Sequence, residues 1–302
     1  MREPVDAGRE PWRKHLVSQC HAEYTDEEHE TWRQLVSRTA AVVNEHEAKL
    51  HPAFVDGFQR LVRPWTQIPR LEELSASLAD FGWQTLCVGG YLPPQVYSAM
   101  VAEGIFPVSR EIRRVEHFEF SPTPDLAHDL IGHIPMLVCA QHRHFLQRLA
   151  RATTEARSNR ADRELYVANR SMAALRCRPS THPSALGGAL ARVEAAQRAV
   201  AAGPSALARL DRMYLWTVEF GLMGTPDDYR LYGAGLLSSL AETDSMFKGQ
   251  AHVIPFTEAA LERSIEFSDH QHVYFVARDY DQLNDALTSL VAPPRSLLAA
   301  RR

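Results

Sequence analysis

No stretch of this chain approaches the roughly eighteen consecutive apolar residues that a membrane helix needs, the longest run being about Ile134 to Ala140. No membrane partner is expected. Basic charge is short as well: 33 Lys+Arg stand against 37 Asp+Glu, a formal net charge of −4, which leaves no excess to neutralise a phosphate backbone. Nucleic acid is not expected as a partner. The four cysteines, Cys20, Cys87, Cys139 and Cys177, form no Cys-x-x-Cys pair, which argues against a disulfide frame or thiolate metal site and for reduced, buried thiols. The first residues lack the apolar segment of a secretory signal, so 1–23 read as a polar leader and a cytoplasmic location is expected. There is no internal repeat. What remains is 302 residues with 45% hydrophobic and 23% charged side chains, enough for one or two ordinary globular domains.

After the leader, Trp32, Leu35, Val36 and Ala40 recur at three- and four-residue spacing, which predicts a helix. Trp83 to Val88 has strand composition. Gly89-Gly90 and Pro93-Pro94 then mark a turn or ordered loop before a helical stretch from Gln95 to Glu103. Between about Thr153 and Ser205 the chain becomes rich in Ala and Arg, broken by Arg178-Pro-Ser-Thr-His-Pro183 and Gly203-Pro204. This reads as an inserted helical hairpin, solvated rather than engaged in binding. Tyr274 to Arg278 reads as a strand and Asp279 to Val291 as a helix.

The segment that carries chemistry is Thr123-Pro-Asp-Leu-Ala-His-Asp-Leu-Ile-Gly-His133-Ile-Pro135. Thr123-Pro124 is an N-cap and first-turn pair, and Asp125 complements the positive helix end, so a helix is predicted to start there. His128 and His133 lie five apart, about 140° round an ideal α-helix, and Gly132 and Pro135 weaken the helix near the second imidazole. With fourteen histidines in the chain, the pair needs a third group; His142/His144 and His270/His272 read as surface pairs. Glu219, embedded in Tyr214-Leu-Trp-Thr-Val-Glu-Phe-Gly-Leu222, is a carboxylate among apolar neighbours, which needs an arginine or a metal to offset its desolvation. Two His and one carboxylate suit the open facial site of a non-haem Fe(II) oxygenase. The same set suits zinc, with Asp129 as the general base of a hydrolase, or a metal-binding protein without catalysis.

These segments, in this order, resemble the tetrahydropterin-dependent aromatic amino acid hydroxylases, most closely bacterial phenylalanine hydroxylases. The resemblance rests on Phe81-Gly-Trp-Gln, Val88-Gly-Gly-Tyr-Leu, Phe106-Pro-Val, Arg113-Arg114, the His128 segment, Tyr214-Leu-Trp-Thr-Val-Glu-Phe-Gly-Leu and Tyr232-Gly-Ala-Gly-Leu-Leu-Ser-Ser. It covers about 24–153 and 205–290. It implies a mainly α, basket-like catalytic domain over 24–291 with a few short strands, a helical insertion at about 154–204 and a short tail at 292–302. The implied activity is ring hydroxylation of L-phenylalanine, giving tyrosine or meta-tyrosine, with tryptophan as an alternative substrate. The implied cofactors are Fe(II) on His128, His133 and Glu219, and tetrahydrobiopterin against Gly90, Leu92, Tyr97, Asp129 and Tyr214. Substrate would meet Arg113, Ser121, Pro124, Leu215, Phe220, Gly235 and Ser238, with Ser238 bonding the far nitrogen of a ligating His and Glu242 nearby. Guanidinium binds carboxylate as a fork, which suits Arg113 to an amino acid.

The chain departs from the family pattern in three places. Leu215 stands where phenylalanine hydroxylases commonly carry Trp, with Trp216 beside it as a candidate to compensate. The insertion stretches the interval between His133 and Glu219. Pro94 and Pro107 replace polar positions near the pterin of animal members. Without a regulatory domain or a tetramerisation helix in the resemblance, a monomer or weak dimer is expected.

Overall fold

The computed structural model describes residues 10–114, 118, 124–176, 183–263 and 271–292. Helix α1 (Asp26–His46) begins at Thr25, whose hydroxyl accepts the Glu28 N–H while the Glu28 carboxylate accepts the Thr25 N–H. The reciprocal cap satisfies two donors that the first turn leaves open. The helix buries Trp32, Leu35, Val36 and Val43, the face its spacing predicts. After α2 (Pro52–Gly57) and α3 (Leu71–Leu78) come β1 (Gln84–Val88), α4 (Pro94–Ala102) and β2 (Ile105–Ser109). The two strands pair in parallel, Gln84 opposite Ile105 and Val88 opposite Ser109, and α4 is the crossover that parallel pairing requires. Pro107 has no N–H to donate, but among the described residues β2 has β1 as its single partner, so its other edge tolerates a proline.

The middle of the chain is helical: α5 (Ala140–Glu155), α6 (Arg160–Arg176), α7 (Pro183–Ala202) and α8 (Ala206–Tyr214). Beyond them come the hairpin β3 (Leu222–Thr225) and β4 (Asp228–Leu231), short helices α9 (Ala234–Leu237) and α10 (Leu240–Phe247), β5 (His252–Pro255), β6 (Val273–Ala277) and α11 (Tyr280–Val291). These strands form a sheet in the order β4-β3-β6-β5, parallel except for the β3-β4 hairpin. The architecture is mainly helical with a few short strands.

The largest core runs from Trp32 in α1 to Leu287 in α11. A second, smaller cluster joins Trp12 to Val88, Met100 and Ile105, so the segment read as a polar leader docks an aromatic ring against β1 and α4. A third lies wholly within the α6–α7 hairpin, built from Ala168, Met172, Ala189, Val193 and Ala196. Cys87 is buried and Cys20 and Cys139 are partly so, all three as free thiols; Cys177 lies outside the described residues. Among the described residues no helix is long and apolar enough to cross a membrane.

His142 corrects a reading of the sequence. Taken as surface, it is 2% exposed and hydrogen-bonded through Nδ1 to the Tyr280 hydroxyl at 3.1 Å. Burial lowers its pKa to about 3. Its place at i with Phe145, Leu146 and Leu149 puts it on the inward stripe of α5, whereas His144 is exposed.

Candidate metal centre

Each of the three candidate ligands belongs to a short π-helical segment, His128–His133 or Leu215–Glu219. In the first, the Ile134 N–H bonds to the Asp129 carbonyl; in the second, the Phe220 N–H reaches the Leu215 carbonyl at 2.9 Å. Closure at i→i+5 widens the turn, so residues five apart, which an α-helix would splay, come nearly into line. The imidazoles of His128 and His133 consequently sit 4.9 Å apart between ring centroids. The helical start also differs from expectation. Helical residues begin at Leu126, and the Asp125 carboxylate accepts the His128 N–H at 2.9 Å, taking the capping role assigned to Thr123, which lies outside the described residues. Gly132 lets the first segment pack closely, since a Cβ there would lie 2.6 Å from the Ala234 carbonyl oxygen of α9.

The ligand atoms converge. His128 Nε2 and His133 Nε2 are 3.1 Å apart, and Glu219 places Oε1 3.1 Å from His133 Nε2 and Oε2 3.5 Å from His128 Nε2. Among the described residues this is the cluster of His, Cys, Asp and Glu able to hold a metal ion. Donors on adjacent corners of an octahedron, each about 2.1 Å from a shared ion, lie roughly 3 Å apart, so the separations fit one ion with an open side. His128 Nδ1 bonds to Ser238 Oγ at 2.8 Å, which fixes the ring's orientation and leaves Nε2 for the centre. The Phe106 ring packs 5.0 Å from His133. Burial pushes the Glu219 carboxyl up, but the imidazoles of His133 and His128 outweigh it and hold it well below the usual carboxylate range. The carboxylate is ionised and ready to ligate.

The cluster opens into a cavity of about 550 Å³. Gly90, Leu92, Tyr97, Arg113, Pro124, Asp129, Tyr214, Leu215, Phe220, Gly235 and Ser238 line it together with the three ligand residues; Ser121 lies outside the described residues. Gly90 takes φ +71°, a left-handed conformation that glycine adopts without strain. The Tyr97 and Tyr214 hydroxyls meet at 2.7 Å. Asp129 Oδ2 accepts the Ser109 N–H at 2.7 Å, and burial raises its pKa to about 6.

Arg113 is held on three sides. Its Nη2 and Nε donate to Asp125 at 2.8 and 3.1 Å, and its Nη1 donates to the Ser238 carbonyl at 3.0 Å. Burial raises the Asp125 carboxyl, but the Arg113 guanidinium reverses that and keeps it ionised. Of the five guanidinium N–H groups, two remain, one on each terminal nitrogen. Asp125 thus both positions Arg113 and caps the His128 helix, a double role missed in the sequence because nothing in its local pattern marks a partner twelve residues away.

The remaining walls were foreseen only in part. Trp216 turns away from the cavity: its ring packs 5.0 Å from Phe275 and its Nε1 donates to the Arg263 carbonyl, so it does not replace the aromatic absent at Leu215. Glu242 is buried, accepts from the Tyr274 hydroxyl at 2.6 Å and faces the cavity. Tyr91, Asp211 and, from the hairpin, Asn169, Met172, Leu190 and Val193 also line it. The hairpin expected to be merely solvated is therefore part of the cavity wall. Its apolar residues pack helix against helix within the hairpin, and their spacing alone does not show that some of them also border a cavity.

Residues 13–169 and 193–293 match the pattern of the family described as biopterin-dependent aromatic amino acid hydroxylases. A phenylalanine-4-hydroxylase of Chromobacterium violaceum is 27% identical over 273 residues, covering 89% of this chain and 76% of its own. A tyrosine 3-monooxygenase of Rattus norvegicus is 28% identical over 280 residues, 91% of this chain and 46% of its own. The iron- and phenylalanine-bound structure of the C. violaceum phenylalanine hydroxylase superposes with a TM-score of 0.67 at 25% identity, covering 96% of this chain and 87% of its own.

Proposed function

Since the chain belongs to the biopterin-dependent aromatic amino acid hydroxylases, we propose that it hydroxylates the ring of free L-phenylalanine at the para carbon, with iron on His128, His133 and Glu219. The observation that carries the reading is the convergence of those three side chains in a cavity whose walls include Arg113, Tyr97 and Tyr214. Iron provides the site of dioxygen activation and a reduced tetrahydrobiopterin the two electrons that no side chain here can supply. Family membership argues against the zinc hydrolase left open by the residues alone.

The chain's own residues bind and orient. Arg113, pinned by Asp125 and the Ser238 carbonyl, presents its two remaining N–H groups to the substrate carboxylate. Pro124, Leu215, Phe220 and Gly235 shape the ring pocket, and Ser238 keeps His128 in its ligating orientation. Gly90, Leu92, Tyr97, Asp129 and Tyr214 would hold the pterin. Mostly apolar walls around buried ligands keep water from the reaction and fix the approach of ring to metal. As part of the same reading we propose a cytoplasmic monomer or weak dimer made of one catalytic domain over 24–291 and its insertion.

The test is turnover of phenylalanine, tyrosine and tryptophan by the iron-loaded protein with tetrahydrobiopterin, products resolved by chromatography. Pterin-dependent formation of para-tyrosine is expected. A tight zinc protein that consumes no dioxygen would overturn the reading.

A further inference from the structure

The α6–α7 hairpin reaches the cavity beside the loop proposed above to hold the pterin. Tyr91, between Gly90 and Leu92, stacks on Tyr166 of α6 with centroids 6.1 Å apart and planes at 29°. The Tyr166 hydroxyl lies 3.5 Å from the Tyr91 carbonyl oxygen, and the Asn169 side chain of α6 lies beside the Tyr91 hydroxyl. On the neighbouring α8, Asp211 lies three residues before Tyr214, on the same face, and lines the same cavity.

Asp211 is the unusual member. Its neighbour Asp162 is satisfied by the Ser205 hydroxyl and the Asn159 N–H, both at 2.7 Å. Among the described residues the Asp211 carboxylate takes part in no hydrogen bond or ion pair. Burial, with the charge of Asp162 behind it, raises the Asp211 pKa to about 6. A partly desolvated carboxylate without partners is costly, and an ionised one can only accept. Its place calls for a ligand that brings hydrogen-bond donors to this end of the cavity.

We infer that Asp211, Asn169 and Tyr91 form a subsite for the hydroxylated side chain of the cofactor, so that the inserted hairpin selects which tetrahydropterin the enzyme uses. The inference rests on the proposed function. Two adjacent hydroxyls on a short side chain offer the paired donors that a carboxylate accepts, and the Asn169 amide and Tyr91 hydroxyl can exchange hydrogen bonds with them. A pterin with only a methyl group at that position offers none. Met172 and Asn169 share one face of α6, so the end of the hydroxylated chain meets an apolar neighbour and a polar one.

Calorimetric titration of the full-length protein tests this with two probes, 7,8-dihydrobiopterin and 6-methyl-7,8-dihydropterin. Wild-type protein is expected to prefer the hydroxylated compound by about tenfold or more, the scale of a hydrogen bond to a charged group. Asp211→Asn, which keeps shape, and Asn169→Ala should each remove most of that preference and leave the affinity for the methyl compound within about twofold. The inference is overturned if wild-type protein shows no preference, or if both variants retain it or weaken both pterins equally. Binding of neither probe to wild-type protein would instead bring down the cofactor reading itself, and this inference with it.

Discussion

The two π-helical segments and the α6–α7 hairpin meet at one cavity, yet they are stabilised in different ways. The π segments sit in the main core, with Leu130, Ile131 and Val218 nearly inaccessible, and their backbone is held by the Asp125 cap and by packing against α9. The hairpin carries its own small cluster of Ala, Met and Val, and the family match leaves out residues 170–192, around its turn. The contrast teaches that the chemistry is built where the backbone is least free to change. The part of this chain that the family pattern leaves out lies in an element with a small core of its own.

The sharpest way to break the comparison is at Glu219. Glu219→Gln keeps the shape but removes the charge that two imidazoles stabilise, and turnover is expected to fall more than a hundredfold with loss of bound iron, measured by metal analysis beside product formation. Ser238→Ala should fall between that and wild type. It removes the partner of His128 Nδ1, a loss worth about 10–100-fold in metal affinity or activity. Full activity in Glu219→Gln would remove it from the ligand set.

The hairpin is expected to respond in the opposite sense. Met172→Ala opens a cavity in its cluster at a cost of about 2–5 kcal/mol, but a unit with its own core opens on its own. Hydrogen exchange should therefore rise in α6 and α7 while iron content and global melting stay near wild type. If the melting temperature instead drops as far as for Leu146→Ala in the main core, the hairpin folds as part of that core and the comparison fails.

The same contrast explains what could be read from the residues. His128, His133 and Glu219 stood out because a carboxylate among apolar neighbours demands a partner, and because few chemistries use two imidazoles with it. Helix α1 was legible from Trp32, Leu35 and Val36 because its period is regular. The π turns were not legible: a spacing of five is compatible with several backbones, and the choice among them is made by packing, as at Gly132 against Ala234. The direction of Trp216 follows from that same turn. His142 was misread because its neighbours in sequence are polar while its neighbours at i+3 and i+4 are not. The hairpin's role was hidden because the apolar spacing along α6 and α7 marks the face that packs within the hairpin and does not say where that face also meets a cavity.

Leu215 supplies the smallest effect and the finest test. It begins the second π segment and lines the cavity one turn before Glu219, while Trp216 is committed to Phe275 and the Arg263 carbonyl. In the proposed reading the ring of the substrate meets an aliphatic wall here, and a flexible, smaller side chain constrains the ring's rotation less than a rigid indole plane would. Leu215→Trp should leave iron content unchanged and shift the para-to-meta product ratio toward para by a few-fold, read by chromatography of the tyrosine isomers. An unchanged ratio would mean that the ring is steered from the opposite wall, by Pro124 and Phe220, so that regiochemistry belongs to the rigid helix ends rather than to this position on the π turn.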